Sequence, residues 1–279
     1  MRDLVDVDWL AEHLGGRGLV VLDASMAPPG TDEPLPAEGI PGAVRFDIDG
    51  RFSRRDEADG LGPVGVHDAL APADLERELR AIGIRDGDRV VAYDAAGMFS
   101  SARAWWVLRA AGIEAAVLDG GLPAWVEAGH PLTPVAESTG RTGDVTVQWD
   151  AAAFVDADAT AAALATGDAA VLDARSPARF SGAELDPRPE VRAGHMPGAR
   201  SLHYAALAPG GRLLPEGELA ERLREAAGEQ RIIASCGSGV TAAVIALAAT
   251  VVGRDATVYD GSWAEWGRAD SGRPVATGD

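Results

Sequence analysis

The sequence has a single cysteine, no lysine at all and five histidines in 279 residues. One thiol, Cys236, forbids a disulfide within the chain, and one cysteine with scattered histidines offers no paired ligand spacing for a metal. With lysine absent, every fixed cation is an arginine, which stays charged and grips carboxylates through two parallel hydrogen bonds. The longest nearly unbroken apolar stretch, Val240 to Val252, is too short to span ~30 Å of hydrocarbon and reads as a buried helix. Met1-Arg2-Asp3-Leu4-Val5-Asp6 lacks the apolar core of a secretion signal, so the expected compartment is the reducing cytoplasm. Positive charge is also scarce: 25 arginines face 43 acidic residues, a formal charge of -18. That balance argues against nucleic acid or an anionic membrane as a partner. Attraction for an anionic substrate has to be built locally.

Hydrophobic residues make up 47% of the chain, enough for substantial cores, and the length suits two domains of ordinary size. The lone cysteine opens Cys236-Gly237-Ser238-Gly239-Val240-Thr241, directly after the apolar run Arg231-Ile232-Ile233-Ala234-Ser235 and before an alanine-rich helical pattern from Ala242 to Val252. Glycines let the backbone curl so that successive N–H groups face one point, and a helix N-terminus adds further unpaired N–H groups. Both favour an anion there, and the ionised sulfur is the nucleophilic form. An isolated cysteine is often inert packing, but this glycine-flanked strand-to-helix position favours chemistry. The loop also lacks the arginine that a Cys-x5-Arg phosphatase uses to clamp phosphoryl oxygens, because Ala242 stands at that place.

Comparing the two halves reveals a duplication. Val21-Leu22-Asp23-Ala24 recurs as Val171-Leu172-Asp173-Ala174, and Pro41-Gly42-Ala43 as Pro197-Gly198-Ala199. Arg89 to Asp94 answers Arg231 to Cys236, and Val117-Leu118-Asp119-Gly120 with Trp125 answers Val258-Tyr259-Asp260-Gly261 with Trp266. Each copy alternates short β-branched runs with helical patterns such as Ala73 to Ile82 and Glu218 to Ala227, the rhythm of a parallel sheet covered by helices. The expected fold is therefore α/β in two tandem domains. They are expected over 1–135 and 151–279, with 136–150 as a linker in which Asp144 to Trp149 could form a short strand. At the cysteine position the first copy has Asp94, which cannot act as a sulfur nucleophile. A helix-capping or interface carboxylate is its expected role.

These landmarks, together with Ser101-Ala102-Arg103-Ala104-Trp105-Trp106, Asp119-Gly120-Gly121 and Asp260-Gly261-Ser262-Trp263, resemble the tandem rhodanese-domain sulfurtransferases over essentially the whole chain. Within that family the loop is similar to the 3-mercaptopyruvate branch, whereas thiosulfate enzymes typically carry Cys-Arg-Lys-Gly-Val-Thr. The resemblance implies a first domain without catalysis and a second that carries a covalent persulfide on Cys236 with no cofactor or metal. It also implies that Gly237, Ser238, Gly239, Val240 and Thr241 cradle the persulfide. Two substrate-binding arginines are implied as well, mapping onto Arg179 of Ala178-Arg179-Phe180 and Arg188 of Asp186-Pro187-Arg188, although Arg175 and Arg192 lie in the same segment. A Ser-His-Asp relay maps onto Ser238, His67 and Asp49. Here the sequence departs from the family, with extra residues from Arg51 to Gly65 and with His67-Asp68-Ala69-Leu70 in place of His-Met-Leu-Pro. His195, in Gly194-His195-Met196-Pro197-Gly198, is expected to serve a turn.

The implied reaction moves sulfur from 3-mercaptopyruvate through Cys236 to a thiol, thioredoxin or cyanide and releases pyruvate. Two alternatives stay open at this level: a thiosulfate:cyanide sulfurtransferase, and a persulfide carrier or redox sensor that turns over slowly.

Overall fold

A computed structural model describes residues 1–27, 31, 34–54 and 66–278, which form two compact units. One comprises described residues 1–54, 69–151 and 210–213, and the other 66–68, 152–209 and 214–278. Residues 55–65, most of the stretch expected as an insertion, lie outside the described residues.

In chain order the strands are β1 (Leu4–Val5), β2 (Leu19–Asp23), β3 (Glu38–Gly39), β4 (Val44–Arg45), β5 (Arg89–Tyr93), β6 (Glu114–Leu118) and β7 (Thr133–Pro134). The second half adds β8 (Phe154–Val155), β9 (Ala169–Asp173), β10 (Arg200–Ser201), β11 (Arg231–Ser235) and β12 (Ala256–Tyr259). The helices are α1 (Val7–His13), α2 (Pro72–Ala81), α3 (Ser101–Ala110), α4 (Gly121–Glu127), α5 (Ala157–Thr166), α6 (Pro177–Ser181), α7 (Glu216–Ala227), α8 (Ala242–Val251) and α9 (Ser262–Trp266).

The first unit holds a parallel sheet in the order β1-β6-β5-β2-β4, and the second a parallel sheet in the order β10-β9-β11-β12-β8. Read from opposite ends, these are the same arrangement, so the duplication seen in the sequence is a duplication of topology. Central strands such as Val90-Val91-Ala92-Tyr93 and Ile232-Ile233-Ala234-Ser235 are buried throughout, as parallel strands covered on both faces must be. Helices on the outer layer keep one apolar stripe: α2 buries Leu75 and Leu79, and α7 buries Leu219, Leu223 and Ala227. By contrast α8, apolar all round, is buried from Ala242 to Ala249 and packs on β11, β12 and α7. The copies even start alike, since Asp6 caps α1 through the Trp9 N–H at 2.7 Å and Asp156 caps α5 through the Ala159 N–H at 2.8 Å.

The stretch 136–150, expected as a linker, packs along the first unit. Ala136 bridges Val44, the Asp144 N–H donates to Ile84 O, and the Gln148 N–H donates to Ala111 O. Asp144 to Trp149 form no strand: the N–H groups of Asp144 and Val145 donate to Ile84 O and that of Gln148 to Ala111 O, while those of Thr146 and Val147 donate to the Asp86 and Glu76 carboxylates. Composition marked this segment as irregular, which it is, but irregular backbone still pairs its N–H groups when it runs over a protein surface.

Candidate active site

Cys236 follows β11, the middle strand of the second sheet. In open parallel sheets, ligands bind beyond the carboxyl ends of such strands. The residue is 2% exposed, and its main chain is held from both sides. Its N–H donates to Ser262 Oγ (3.1 Å), and Ser262 Oγ donates to Tyr259 O (2.8 Å). The Trp263 N–H donates to Cys236 O (3.0 Å) and the Ala264 N–H to Gly237 O (2.8 Å), so the entry of α9 clamps the start of the loop. Ser262 has φ +49°, the one positive φ at a non-glycine among the described residues. Such left-handed backbone costs a serine of order 1–2 kcal/mol.

The two loop glycines do different things. Gly239 has φ +79° and makes the curl that leads the chain into α8. Gly237 does not need a left-handed backbone; it makes room. A Cβ there would stand 3.4 Å from Arg179 Nη2 and 3.5 Å from Arg188 Nη2, so a longer side chain would run into both guanidinium groups. Val240 and Thr241 carbonyls already accept from Ala243 and Val244, which aims the amino end of α8 along the loop.

The four arginines that sequence alone leaves as alternatives separate by their partners. Arg175 is 2% exposed at its side chain, forks onto Asp173 at 2.7–3.1 Å, donates to Gly194 O and lies 4.5 Å above the Trp263 ring. Arg192 is spent on Trp266 O, Gly267 O, Ser271 Oγ and Arg273 O. Both hold the fold. Arg179 and Arg188 instead reach the cysteine loop, with Arg188 Nη2 donating to Gly237 O at 3.0 Å. Arg179 sits on α6, whose start is set by Ser176 capping the Arg179 N–H and by Pro177. Between the two lies Asp186, which accepts from Arg179 Nη2 at 2.6 Å and from Arg188 Nε at 2.7 Å. Burial pushes the Asp186 carboxyl upward, but the hydrogen bond and charge of Arg188 and the charge of Arg179 outweigh it and hold it below the usual carboxylate range.

His67 Nδ1 stands 2.8 Å from Ser238 Oγ, so the sequence-predicted serine and histidine meet within the second unit. Asp49 lies in the first unit, exposed, on the turn that follows Ile48. His195 is buried, with Nδ1 3.0 Å from Phe180 O, its ring stacked on Phe180, and its main chain paired both ways with Ala276. These contacts fasten a turn. Among the described residues no group of three or more His, Cys, Asp or Glu could hold a metal ion. No helix among them is long and apolar enough to cross a membrane.

The first unit shows what its equivalent loop is built to hold. Asp94 is 1% exposed, and its carboxylate accepts from the N–H groups of Ala96 (2.9 Å), Phe99 (2.9 Å), Ser100 (2.9 Å) and Ser101 (2.8 Å). A side-chain anion fills this cradle. Sequence reasoning missed Ser262 and Asp186 as parts of the second loop's surroundings. A signal for Ser262 exists in the repeat itself: Gly121 occupies the corresponding place with φ +53°, so a serine there trades conformational ease for a hydroxyl. Asp186 carries no such local mark.

Comparison with known proteins gives the chain its relatives. A family model described as Rhodanese-like domain matches residues 6–128 and again 156–269. The chain is 36% identical over 276 residues to 3-mercaptopyruvate sulfurtransferase of Escherichia coli (strain K12), covering 95% of each chain. It is 34% identical over 285 residues to the human protein of that name, covering 95% of this chain and 92% of the relative. A Mycobacterium tuberculosis protein named putative thiosulfate sulfurtransferase SseB is 40% identical over 244 residues, covering 86% of this chain and 83% of that one. Among solved structures, SseA from Escherichia coli, described as a 3-mercaptopyruvate sulfotransferase with a rhodanese fold, superposes with a TM-score of 0.82 at 34% identity, covering 94% of this chain and 99% of that one.

Proposed function

Since the chain belongs to the rhodanese family, carries its domain twice and is a sulfurtransferase, we propose that its donor is 3-mercaptopyruvate and that Cys236 carries the transferred sulfur. The observation that carries this reading is the convergence of Arg179 and Arg188 on Gly237, one residue from the thiol. Two guanidinium groups there suit the carboxylate and keto oxygen of a 2-keto acid, and the uncharged Gly237-Ser238 pair leaves room for them.

In the first step the Cys236 thiolate attacks the donor's thiol sulfur. An S–S bond forms, the donor C–S bond breaks, and its electron pair stays on carbon as the enolate of pyruvate. The outer sulfur keeps its hydrogen, and the enolate takes one proton to become pyruvate. Ser238, 2.8 Å from His67, is suited to deliver that proton. The loop N–H groups from Gly237 to Thr241 and the amino end of α8 hold the persulfide. In the second step an acceptor, a small thiol, thioredoxin or cyanide, attacks the outer sulfur and restores the Cys236 thiolate.

The test is direct. Cys236→Ser should release no pyruvate from 3-mercaptopyruvate above background, and intact mass after donor treatment should show a gain of one sulfur in the wild type alone. Retained turnover in Cys236→Ser would end this reading. Thiosulfate is the second reading, favoured by the Mycobacterium tuberculosis relative's name. A higher kcat/KM on thiosulfate than on 3-mercaptopyruvate, with cyanide as the common acceptor, would select it. A stable added sulfur that acceptors fail to remove would instead mark a carrier.

A further inference from the structure

Arg179 and Arg188 do not hold their positions alone. The Asp186 side chain is 1% exposed, and both its oxygens are fully engaged. Oδ1 accepts from Arg188 Nε (2.7 Å) and the Arg188 N–H (3.0 Å), while Oδ2 accepts from Arg179 Nη2 (2.6 Å) and Arg188 Nη2 (3.0 Å). The arginine side chains remain 17% and 20% exposed, so each keeps an edge open beyond the carboxylate. Two like charges converging on one glycine repel each other, and a shared anion between them removes most of that repulsion. The trio then carries one net positive charge.

We propose that Asp186 is the specificity-determining and positioning residue of this site, setting the net charge of the arginine pair so that it selects a monoanionic 2-keto acid over a dianionic thio-oxoanion. The proposal rests on the donor site described above and adds a cause for its selectivity. A 2-keto acid with a protonated thiol brings one negative charge, which the trio balances. Thiosulfate brings two, and its second charge meets the buried Asp186 carboxylate close behind the guanidinium groups. That carboxylate stays ionised because Arg188 and Arg179 stabilise its charged form. Binding thiosulfate well would need the pair without its counter-ion, or a further cation in the loop where Gly237 stands.

The experiment measures kcat/KM for 3-mercaptopyruvate and thiosulfate, with cyanide as acceptor, in wild type, Asp186→Asn and Asp186→Glu. Asparagine keeps the size and removes the charge, so the ratio of thiosulfate to 3-mercaptopyruvate efficiency should rise on the order of tenfold, mostly through KM. Asp186→Glu keeps the charge and should leave the ratio within about twofold of wild type even if both efficiencies fall. An equal loss on both donors in Asp186→Asn, with the ratio unmoved, would reduce Asp186 to a structural part and overturn the proposal. A second measurement needs no variant. Oxamate and oxalate share a shape and differ by one charge, so as competitive inhibitors of the wild type oxamate should bind more tightly; equal or tighter oxalate binding would overturn the proposal. A wild type that prefers thiosulfate would sink the donor assignment, while the shift caused by Asp186→Asn would still judge the role of Asp186.

Discussion

Replacing Asp94 by alanine should destabilise the first unit severely and leave the chemistry of Cys236 intact. The carboxylate accepts four main-chain N–H groups at 2.8–2.9 Å and is 1% exposed. Ser100 and Ser101 are both fully buried, whereas Ala96 and Phe99 are partly open to solvent. Water can reach the last two after truncation and replace the lost acceptor. It reaches Ser100 and Ser101 poorly, and each buried N–H left without an acceptor costs about 1–3 kcal/mol. Loss of the anion at the start of α3 adds about 0.5–1 kcal/mol. The expected cost is about 4 kcal/mol, a large fraction of the roughly 5–15 kcal/mol that holds an ordinary domain together. Asp94→Asn keeps one oxygen acceptor and loses the charge, so about half that cost is expected. Urea unfolding followed by pulsed hydrogen exchange and mass spectrometry reads peptides of the two units separately, which a single spectroscopic signal does not. Protection should fall first in peptides spanning residues 89–118. A loss below about 1 kcal/mol would refute the claim that this carboxylate substitutes for a bound anion in the loop.

Further expectations follow from the second unit. Ser262→Gly relieves the φ of +49° but removes the acceptor for the Cys236 N–H, so thermal stability should change by less than about 1 kcal/mol while kcat falls, as steady-state kinetics will show. Arg188→Ala should raise KM for 3-mercaptopyruvate on the order of a hundredfold, and Arg175→Ala should instead unfold the protein at lower temperature, because its guanidinium is buried against Asp173 and Trp263. Gly237→Arg places a third guanidinium against Arg179 and Arg188 and should weaken 3-mercaptopyruvate binding without generating phosphatase activity, measurable with a chromogenic phosphate ester. Burial raises the Glu265 carboxyl above its ordinary value, against the Tyr259 hydrogen bond and the charge of Arg273. Its contribution to stability is therefore present below the ordinary carboxylate range and is lost as pH rises through the raised value. Glu265→Gln should accordingly be more stable than wild type at pH 7 and converge on it below about pH 4 in urea titrations.

The duplication and the α/β alternation were legible in the amino-acid order, as were the proposed nucleophile and the argument against phosphatase chemistry. Each is written within a short window: apolar runs that must be buried, turn residues at fixed places, a thiol between glycines at a strand end, and Ala242 where an arginine would have to be. What tertiary structure alone decided concerns residues distant in the chain. The resemblance singled out Arg179 and Arg188 among four arginines of one segment, and the fold sets the other two apart, with Trp263 and Gly194 O claiming Arg175 and the carbonyls near Gly267 claiming Arg192. Gly237 reads in sequence as one of two glycines that let the loop curl, yet its φ is not positive and its value is the space it leaves to guanidinium groups contributed from α6 and the following loop. Asp186 and Ser262 bear no signature of their own, because a hydrogen-bond acceptor acquires a role only from the donors the fold brings to it. The thiol was determined locally, while the charge and the backbone geometry around it belong to the folded chain.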